Sequence, residues 1–213
     1  MSHLHYEPSP PATLVPIPPL ANQDEPQRAW QNSAVGEDRT IVLTRPLNEN
    51  EWGMIRVFVA RTNREDLRLR FGQSLDFADA ATLRRFFDIG GDAGELLCML
   101  DEAGDICGIL HRVLTSPSEA EIALIVRSDR KRRGIGETLL RTALSRAAKQ
   151  NLKTLRALVL RENGAMLRLA RKLGLVPRKP YGFSVEVEFD LRQGGTSAVE
   201  CGPRLGIARQ VPN

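Results

Sequence analysis

The chain has 213 residues, of which 42% are hydrophobic and 26% are charged, and its formal net charge is +4 at pH 7. These values are ordinary for a soluble globular protein with one domain and tails, or with one large domain. The basic excess fits a phosphorylated ligand, an acidic protein partner or nucleic acid, and does not choose among them. No stretch approaches the ~18 apolar residues of a membrane helix, and the N-terminus lacks the pattern of a signal peptide. We therefore expect a cytoplasmic protein that binds no membrane.

Both ends of the chain lack the apolar periodicity of folded segments. Residues 1–38 contain seven of the thirteen prolines, which favour extended conformations, so we predict a disordered tail. Gly, Pro and Ser return over residues 193–213, which we predict to be a flexible tail. The folded domain is expected to span residues 39–192. The three cysteines form no CxxC pair, so we expect reduced thiols and no metal site.

The first half of the domain predicts two helices and a meander of antiparallel strands. Asn48 stands where an N-cap is expected, ahead of apolar residues at helical spacing. Residues 62–75 are polar and irregular, with one turn of helix suggested at 65–69. Three strands joined by turns follow. The predicted elements are a strand at 41–44, helices at 49–61 and 76–88, and strands at 95–101, 106–114 and 119–127.

The centre of the chain predicts one parallel crossover. Residues 122–126 are an unbroken, partly β-branched apolar run, as expected of a strand buried on both faces. An amphipathic helix at 135–150 and a buried strand at 154–160 follow, and this β-α-β order requires a right-handed crossover. Asn163 begins a further helix, and the alternating segments 175–177 and 183–191 close the sheet.

These elements together predict an α/β (α+β) fold. Its sheet is expected to be mixed and mostly antiparallel, with about six or seven strands and about four flanking helices. The turn that contains two glycines would lie where the sheet changes from antiparallel to parallel pairing.

A basic loop that ends in Gly-x-Gly, Lys131–Gly136, joins the central strand to the central helix. The start of a helix presents unpaired N–H groups and the positive end of the helix dipole, which suit a phosphate. Glycine allows the backbone to approach such a ligand closely. The loop therefore predicts a pyrophosphate site, although the glycine pair alone does not distinguish it from a dinucleotide-binding turn.

Two motifs at this separation resemble the GCN5-related N-acetyltransferase (GNAT) family. One is Arg/Lys-x-x-Gly-x-Gly, present as Lys131–Gly136, and the other is Asn-x-x-Met-x-x-Leu-x-x-x-x-Gly, present as Asn163–Gly174. The resemblance covers residues 40–191 and extends to the acetyltransferase domain of the bacterial Pat-type protein lysine acetyltransferases, here in a single-domain version. That group commonly has glycine where this chain has Arg132, and phenylalanine where it has Leu175.

The resemblance implies that acetyl-CoA is the co-substrate and that no metal takes part. N–H groups of the loop and helix start would hold the pyrophosphate, and the basic side chains of the loop would add charge near the 3′-phosphate. The pantetheine arm would pair with the backbone of residues 124–126, much as an added strand does. Asn163 would reach the pantetheine, and it would equally suit a helix cap. The implied donor-site residues are Leu124, Ile125, Val126, Lys131, Arg132, Arg133, Gly134, Ile135, Gly136, Glu137, Asn163 and Met166.

Transfer to a lysine requires a base, because a free lysine amine has a pKa near ~10.4 and is almost fully protonated at neutral pH. Glu121, at the start of the central strand, matches the glutamate that related enzymes use, and it would lie beside the thioester, where burial could raise its pKa. Glu119, on the same face of the strand, is the fallback. The N–H of Leu124 or Ile125 would stabilise charge on the acyl oxygen.

No general acid is evident in the second motif. Many members of the family use a tyrosine there to protonate the leaving thiolate, and this chain has Ala170 at that position. Either the thiolate leaves without a protein acid or a water helps, with Tyr181 as a remote candidate. A covalent route through Cys98 or Cys107, with His111 as partner, is a weaker alternative.

The resemblance implies a protein lysine as acceptor and, by analogy with Pat-type enzymes, AMP-forming acyl-CoA synthetases as substrates. The alternative acceptor is a small-molecule amine, a polyamine or a protein N-terminus, and residues 62–91 are expected to line the acceptor side. Glu121 disfavours a sensor that binds acetyl-CoA without catalysis. Nucleic-acid binding by the Arg127–Arg133 cluster is disfavoured because no recognition motif or aromatic platform accompanies the charge. We expect a monomer or a homodimer.

Overall fold

Seven strands form one mixed sheet in the computed structural model, which describes residues 40–43, 48–87 and 94–192. Their order across the sheet is β1-β2-β3-β4-β5-β7-β6. Only β4 and β5 pair in parallel among the described strands, and the predicted meander, crossover and closing hairpin are confirmed. The strands are β1 Thr40–Leu43, β2 Gly94–Leu100, β3 Ile106–Ser116, β4 Glu119–Val126, β5 Thr154–Leu160, β6 Val176–Tyr181 and β7 Ser184–Asp190.

Five α-helices flank the sheet in the described part of the chain, one more than the sequence predicts. The additional helix is α2, where only a single turn was expected. Asn63 caps it by accepting a hydrogen bond from the N–H of Asp66 at 2.7 Å. Five of its eight residues are charged, which hides its apolar periodicity. The helices are α1 Glu49–Ala60, α2 Arg64–Phe71, α3 Ala80–Phe87, α4 Ile135–Lys149 and α5 Gly164–Lys172, with a short 3-10 turn at Ser128–Arg130.

The helix ends follow from local capping. Asn48 and Glu51 form a capping box, in which the Glu51 N–H donates to Asn48 Oδ1 at 3.0 Å and the Asn48 N–H donates to Glu51 Oε2 at 2.8 Å. The helix α3 begins later than predicted, because Asp79 Oδ2 accepts from the N–H of Thr82 at 2.8 Å and caps it there. Its predicted last residue, 88, and both predicted tails lie outside the described residues. None of the described helices combines the length and hydropathy of a membrane span.

Alternation along β4 divides its side chains between two cores. Ala120 and Ile122 pack in the core formed with α4 and α5, whereas Ile125 packs in the core that contains Trp52 of α1. Glu121 lies on the same face as Ile125, because residues two apart on a strand share a face. That face of β4 is therefore covered by helices at Ile125 and open at Glu121.

The strands β4 and β5 separate after three pairs. The parallel register runs only from Glu119, opposite Thr154, to Glu121, opposite Arg156. The other edge of β4 pairs with β3 as far as Val126. Within the described strands, the backbone of residues 122–126 therefore has no partner on its β5 side, and an extended ligand arm would complete its hydrogen bonds there.

Candidate functional site

A cavity of about 340 Å³ lies where β4 and β5 separate, between α2, the start of α4 and α5. Its lining includes eleven of the twelve predicted donor-site residues. Arg133 is exposed and does not line it. The sequence did not single out six further lining residues, which are Asp66, Leu69, Arg70, Arg130, Ala165 and Leu169. The first three come from α2, within the segment 62–91 that the prediction places on the acceptor side.

The start of α4 has the form expected of a phosphate cradle. Gly134 is the N-cap residue, with a left-handed φ of 82° and no side-chain cap. The first N–H groups of the helix have no intrahelical partners and face outward at its positive end. A Cβ on Gly136 would lie 3.3 Å from a methyl of Leu169 and 3.5 Å from a methyl of Leu124. Glycine at 136 thus keeps open the space between β4 and α5, and these residues fit a pyrophosphate followed by a narrow pantetheine arm.

Arg132 occupies a backbone conformation that favours glycine. Its φ is 61°, in the left-handed region that side chains with a Cβ adopt at a cost of ~1–2 kcal/mol. The Pat-type group commonly has glycine at this position. The side chain of Arg132 is exposed and lies on the cavity rim.

The side chain of Lys131 is held by an acidic residue that the sequence did not connect with it. Its ammonium pairs with Asp66, which is nearly buried on α2. The other oxygen of Asp66 accepts a hydrogen bond from Ser128 Oγ at 2.6 Å, and Ser128 Oγ accepts from the N–H of Asn63 at 2.9 Å. Residues 128–136, here called the phosphate loop after its predicted ligand, are therefore attached to the start of α2 by these contacts.

A buried arginine anchors the base of the same loop. Arg127 is 1% exposed and donates to Asp101 Oδ2 at 3.0 Å, to the Ile106 carbonyl at 3.1 Å and to Asp129 Oδ1 at 2.7 Å. Arg130 also donates to Asp101 Oδ2, at 2.8 Å. Burial acts to raise the pKa of Asp101, but hydrogen bonds from the backbone of Asp105 and from Arg127 outweigh it and hold that pKa below its usual value. Asp101 thus receives hydrogen bonds from both Arg127 and Arg130 at the base of the loop.

Asn163 serves as a helix cap and also lines the cavity. Its Oδ1 accepts from the N–H of Met166 at 3.1 Å, which fixes the start of α5. Both residues contribute to the cavity wall. The two roles considered for Asn163 are therefore compatible, because capping uses the oxygen and leaves the amide nitrogen for a ligand.

Glu121 lies at the mouth of the cleft and does not line the cavity. It is exposed, and the burial considered for this carboxylate is not found, because the helical layer over this face of β4 ends before reaching it. No hydrogen bond or ion pair engages Glu121 among the described residues. Glu119, by contrast, accepts from Arg156 Nη2 at 3.1 Å, and Arg156 Nε donates to Glu188 at 3.0 Å. Glu121 is thus the available carboxylate of the two candidates.

The other catalytic candidates are poorly placed for chemistry. Ala170 is 1% exposed in the core, and Tyr181 is 72% exposed on the edge strand β6. Burial raises the pKa of Cys107 to about 11 and also raises the pKa of Cys98, which opposes formation of a nucleophilic thiolate. Burial, assisted by the charge of Arg70, lowers the pKa of His111 to about 4. The raised thiol pKa values therefore disfavour a cysteine intermediate.

Comparison with known proteins agrees with this architecture. The Acetyltransferase (GNAT) family matches residues 61–175 of the chain. The crystal structure of the GNAT domain of S. lividans PAT is similar, with a TM-score of 0.62 and 21% identity over 76% of this chain and 97% of that one. Spermidine N-acetyltransferase from Vibrio cholerae, in complex with CoA and spermine, has a TM-score of 0.54 and 17% identity over 69% of this chain and 92% of that one.

A phosphinothricin acetyltransferase from Sinorhizobium meliloti in complex with AcCoA is a third similar structure. Its TM-score is 0.54 and its identity is 17%, over 64% of this chain and 83% of that one. At these identities the likeness concerns the fold and does not identify the acceptor. The family match, the separated strands and the glycine cradle together lead to one conclusion. The chain belongs to the GNAT family of acetyltransferases.

Proposed function

We propose that this protein transfers an acetyl group from acetyl-CoA to the ε-amine of a protein lysine, by direct attack with Glu121 as general base. One observation carries the proposal: Glu121 is an exposed carboxylate that forms no hydrogen bond or ion pair with a described residue, at the last pair before β4 and β5 separate. An amine that enters along the sheet face at Glu121 would meet the donor at the start of the cleft.

The chain's own groups suit the binding of the donor. The N–H groups from Gly134 to Glu137 would hold the pyrophosphate, and the unpaired edge of residues 124–126 would hold the pantetheine arm. Acetyl-CoA, when bound, supplies the thioester that donates the acetyl group. A backbone N–H of Leu124 or Ile125 would donate to the acyl oxygen as negative charge grows on it.

Glu121 is proposed to accept the proton of the acceptor ammonium, directly or through one water. The amine must lose this proton before it attacks, because its lone pair forms the new bond. No tyrosine occupies the position of Ala170, so we propose that the thiolate leaves without a protein acid. Its modest basicity relative to the amine permits this step.

Two exposed apolar side chains, on β5 and in the β6–β7 turn, support a protein acceptor. Leu158 of β5 lies on the same sheet face as Glu121 and is 49% exposed, and Phe183 in the β6–β7 turn is 90% exposed. Large apolar side chains exposed at a surface are common at protein contact sites. By resemblance to Pat-type enzymes, we propose AMP-forming acyl-CoA synthetases as the substrates, with the modified lysine in their active sites.

A direct test is incubation with labelled acetyl-CoA and a panel of acyl-CoA synthetases, spermidine and free amino acids. We expect label on one lysine of a synthetase, located by peptide mapping, together with loss of the activity of that synthetase. A synthetase whose active-site lysine is replaced by arginine is the matched control and should remain unlabelled. Label confined to spermidine or amino acids would contradict the protein-lysine proposal and favour the small-amine alternative.

A further inference from the structure

Arg70 brings a positive charge to the end of the donor cavity that is remote from the phosphate loop. It lies on α2 and lines the same cavity as Leu124 and Ile125. Its charge acts on Glu121 and on His111, which is paired with Ala123 across the β3–β4 register. Arg70 is therefore near the first half of β4, whereas the basic residues of the phosphate loop follow the end of β4.

The charge of Glu121 acts on Arg70, but no described carboxylate lies within ion-pair distance of its guanidinium. The guanidinium lies over the ring of Phe71, with 4.6 Å between its central carbon and the ring centroid. Burial lowers its pKa to about 10, which still leaves the group charged at neutral pH. A half-buried guanidinium with five donors and no acceptor is suited to bind an anion from outside the chain.

The position of Arg70 indicates which anion this is. Given the donor site proposed above, the loop at the start of α4 binds the phosphates and β4 binds the pantetheine arm. The group that reaches the first half of β4 is then the acyl chain. An acetyl group is short and uncharged, so it leaves the guanidinium without a partner. Arg70 lines the donor cavity, whereas Glu121 does not.

We infer that Arg70 binds a carboxylate at the far end of the acyl chain, so that the protein also accepts short dicarboxylic acyl-CoA donors of the malonyl and succinyl class. In this reaction the amine nitrogen bonds to the thioester carbon and the carbon–sulfur bond breaks. The amine proton passes to Glu121 and CoA leaves as the thiolate. The distal carboxylate is unchanged throughout and serves only to bind Arg70.

The test compares two donors of equal chain length, succinyl-CoA and butyryl-CoA, which differ in the charged end of the acyl group. The full-length protein is assayed for transfer to a lysine substrate, and the Kd of each donor is measured by competition with CoA, without acceptor. We expect the wild-type protein to favour succinyl-CoA over butyryl-CoA by at least ~tenfold, both in Kd and in the rate of transfer. A charge-assisted hydrogen bond in a partly buried site has an effect of this size. Equal or better use of butyryl-CoA would overturn the inference.

Variants of α2 separate Arg70 from the rest of the helix. Arg70→Met should lower the succinyl-to-butyryl ratio by at least ~tenfold, and Arg70→Lys, which retains the charge, should keep part of the preference. Arg68→Met is the matched control, because Arg68 pairs with Glu65 and Glu162 at the surface, and its ratio should equal that of the wild type. If Arg70 only supports Glu121 electrostatically, Arg70→Met will lower both rates equally, which contradicts the inference.

This inference and the proposed function fail in different ways. The Kd values need no acceptor, so a loss of preference in Arg70→Met would support the carboxylate site even if no protein lysine were modified. Lysine acetylation with equal Kd values for the two donors would support the proposed function and refute the site at Arg70.

Discussion

The contact between Asp66 and the phosphate loop predicts opposite effects on stability and on cofactor binding. Asp66 holds Lys131 and Ser128, which both lie in the segment that leads to the glycine cradle. Asp66→Asn removes the negative charge and keeps the shape of the side chain. It should therefore loosen the attachment of the loop to α2 and release Lys131 toward a bound phosphate.

The magnitude follows from the two contacts. The hydrogen bond from Ser128 Oγ is 2.6 Å long and ends on a carboxylate that is nearly buried, and bonds of this type contribute ~1.5–3 kcal/mol. The amide oxygen of asparagine retains part of this bond. The side chain of Lys131 is 45% exposed, so the ion pair adds little. We expect a loss of ~1–2 kcal/mol in the free energy of unfolding, or a fall of ~2–8 °C in Tm.

The effect on acetyl-CoA should have the opposite sign. With one negative charge fewer beside the phosphate site, the Kd for acetyl-CoA should fall a few-fold at low salt, and its dependence on salt should steepen. Titration calorimetry at two salt concentrations measures the Kd, and thermal unfolding measures stability. Asp129→Asn is the control, because Asp129 pairs with Arg127 and is exposed outside the cavity. Weaker acetyl-CoA binding in Asp66→Asn would show instead that Asp66 positions Lys131 for the phosphate, and would refute this reasoning.

Two further predictions concern the cradle and the core. Gly136→Ala should weaken acetyl-CoA binding by ~tenfold, because its Cβ would approach Leu169 to 3.3 Å and narrow the cavity. Gly134→Ala places its Cβ in open space but at a φ of +82°, so it should chiefly lower the free energy of unfolding, by ~1 kcal/mol. If calorimetry showed that the two substitutions change the Kd for acetyl-CoA equally, the different roles of Gly134 and Gly136 would be contradicted. Burial opposes ionisation of Glu95, but a hydrogen bond from Arg146 helps to hold the pKa of Glu95 below its usual value. The stability that the ionised Glu95 contributes is therefore present above pH ~4.3 and is lost as the pH falls through the lowered pKa. The free energy of unfolding measured in urea should therefore fall more steeply below pH ~4.3 for the wild type than for Glu95→Gln. Parallel dependence of the two free energies on pH would argue against an ionised Glu95.

Periodicity predicted the parts of the fold in which one face of an element is buried. The helical spacing in α4 separates core residues from exposed ones, and the unbroken apolar run of β4 lies between the two cores, with Ile122 in one and Ile125 in the other. The sequence predicted only one turn of α2, because the charged residues of this helix obscure its two buried positions, Asp66 and Leu67. A search for hydrophobic periodicity does not recognise a buried helical position that a charged residue occupies.

The candidate site was predictable only where its residues are close in sequence. The loop Lys131–Gly136 and the helix start at Asn163 follow from motifs, and both contribute to the cavity. Asp66 lies 65 positions before Lys131, and no local pattern connects the two. The exposure of Glu121 also depends on where the layer of helices ends above β4, which is a property of tertiary packing.

The catalytic role of Glu121 is the central claim, and it is tested most directly by comparing Glu121→Gln with the wild type in one experiment. Acetyl transfer to a synthetase lysine and the Kd for acetyl-CoA are measured on the same preparations. We predict a fall in transfer of ~100-fold or more, because a positioned base contributes by this order, with a Kd within ~twofold of the wild type, since Glu121 does not line the cavity. Glu119→Gln, at the carboxylate held by Arg156, should retain most of the transfer rate. Undiminished turnover by Glu121→Gln would contradict the assignment of this residue as the base.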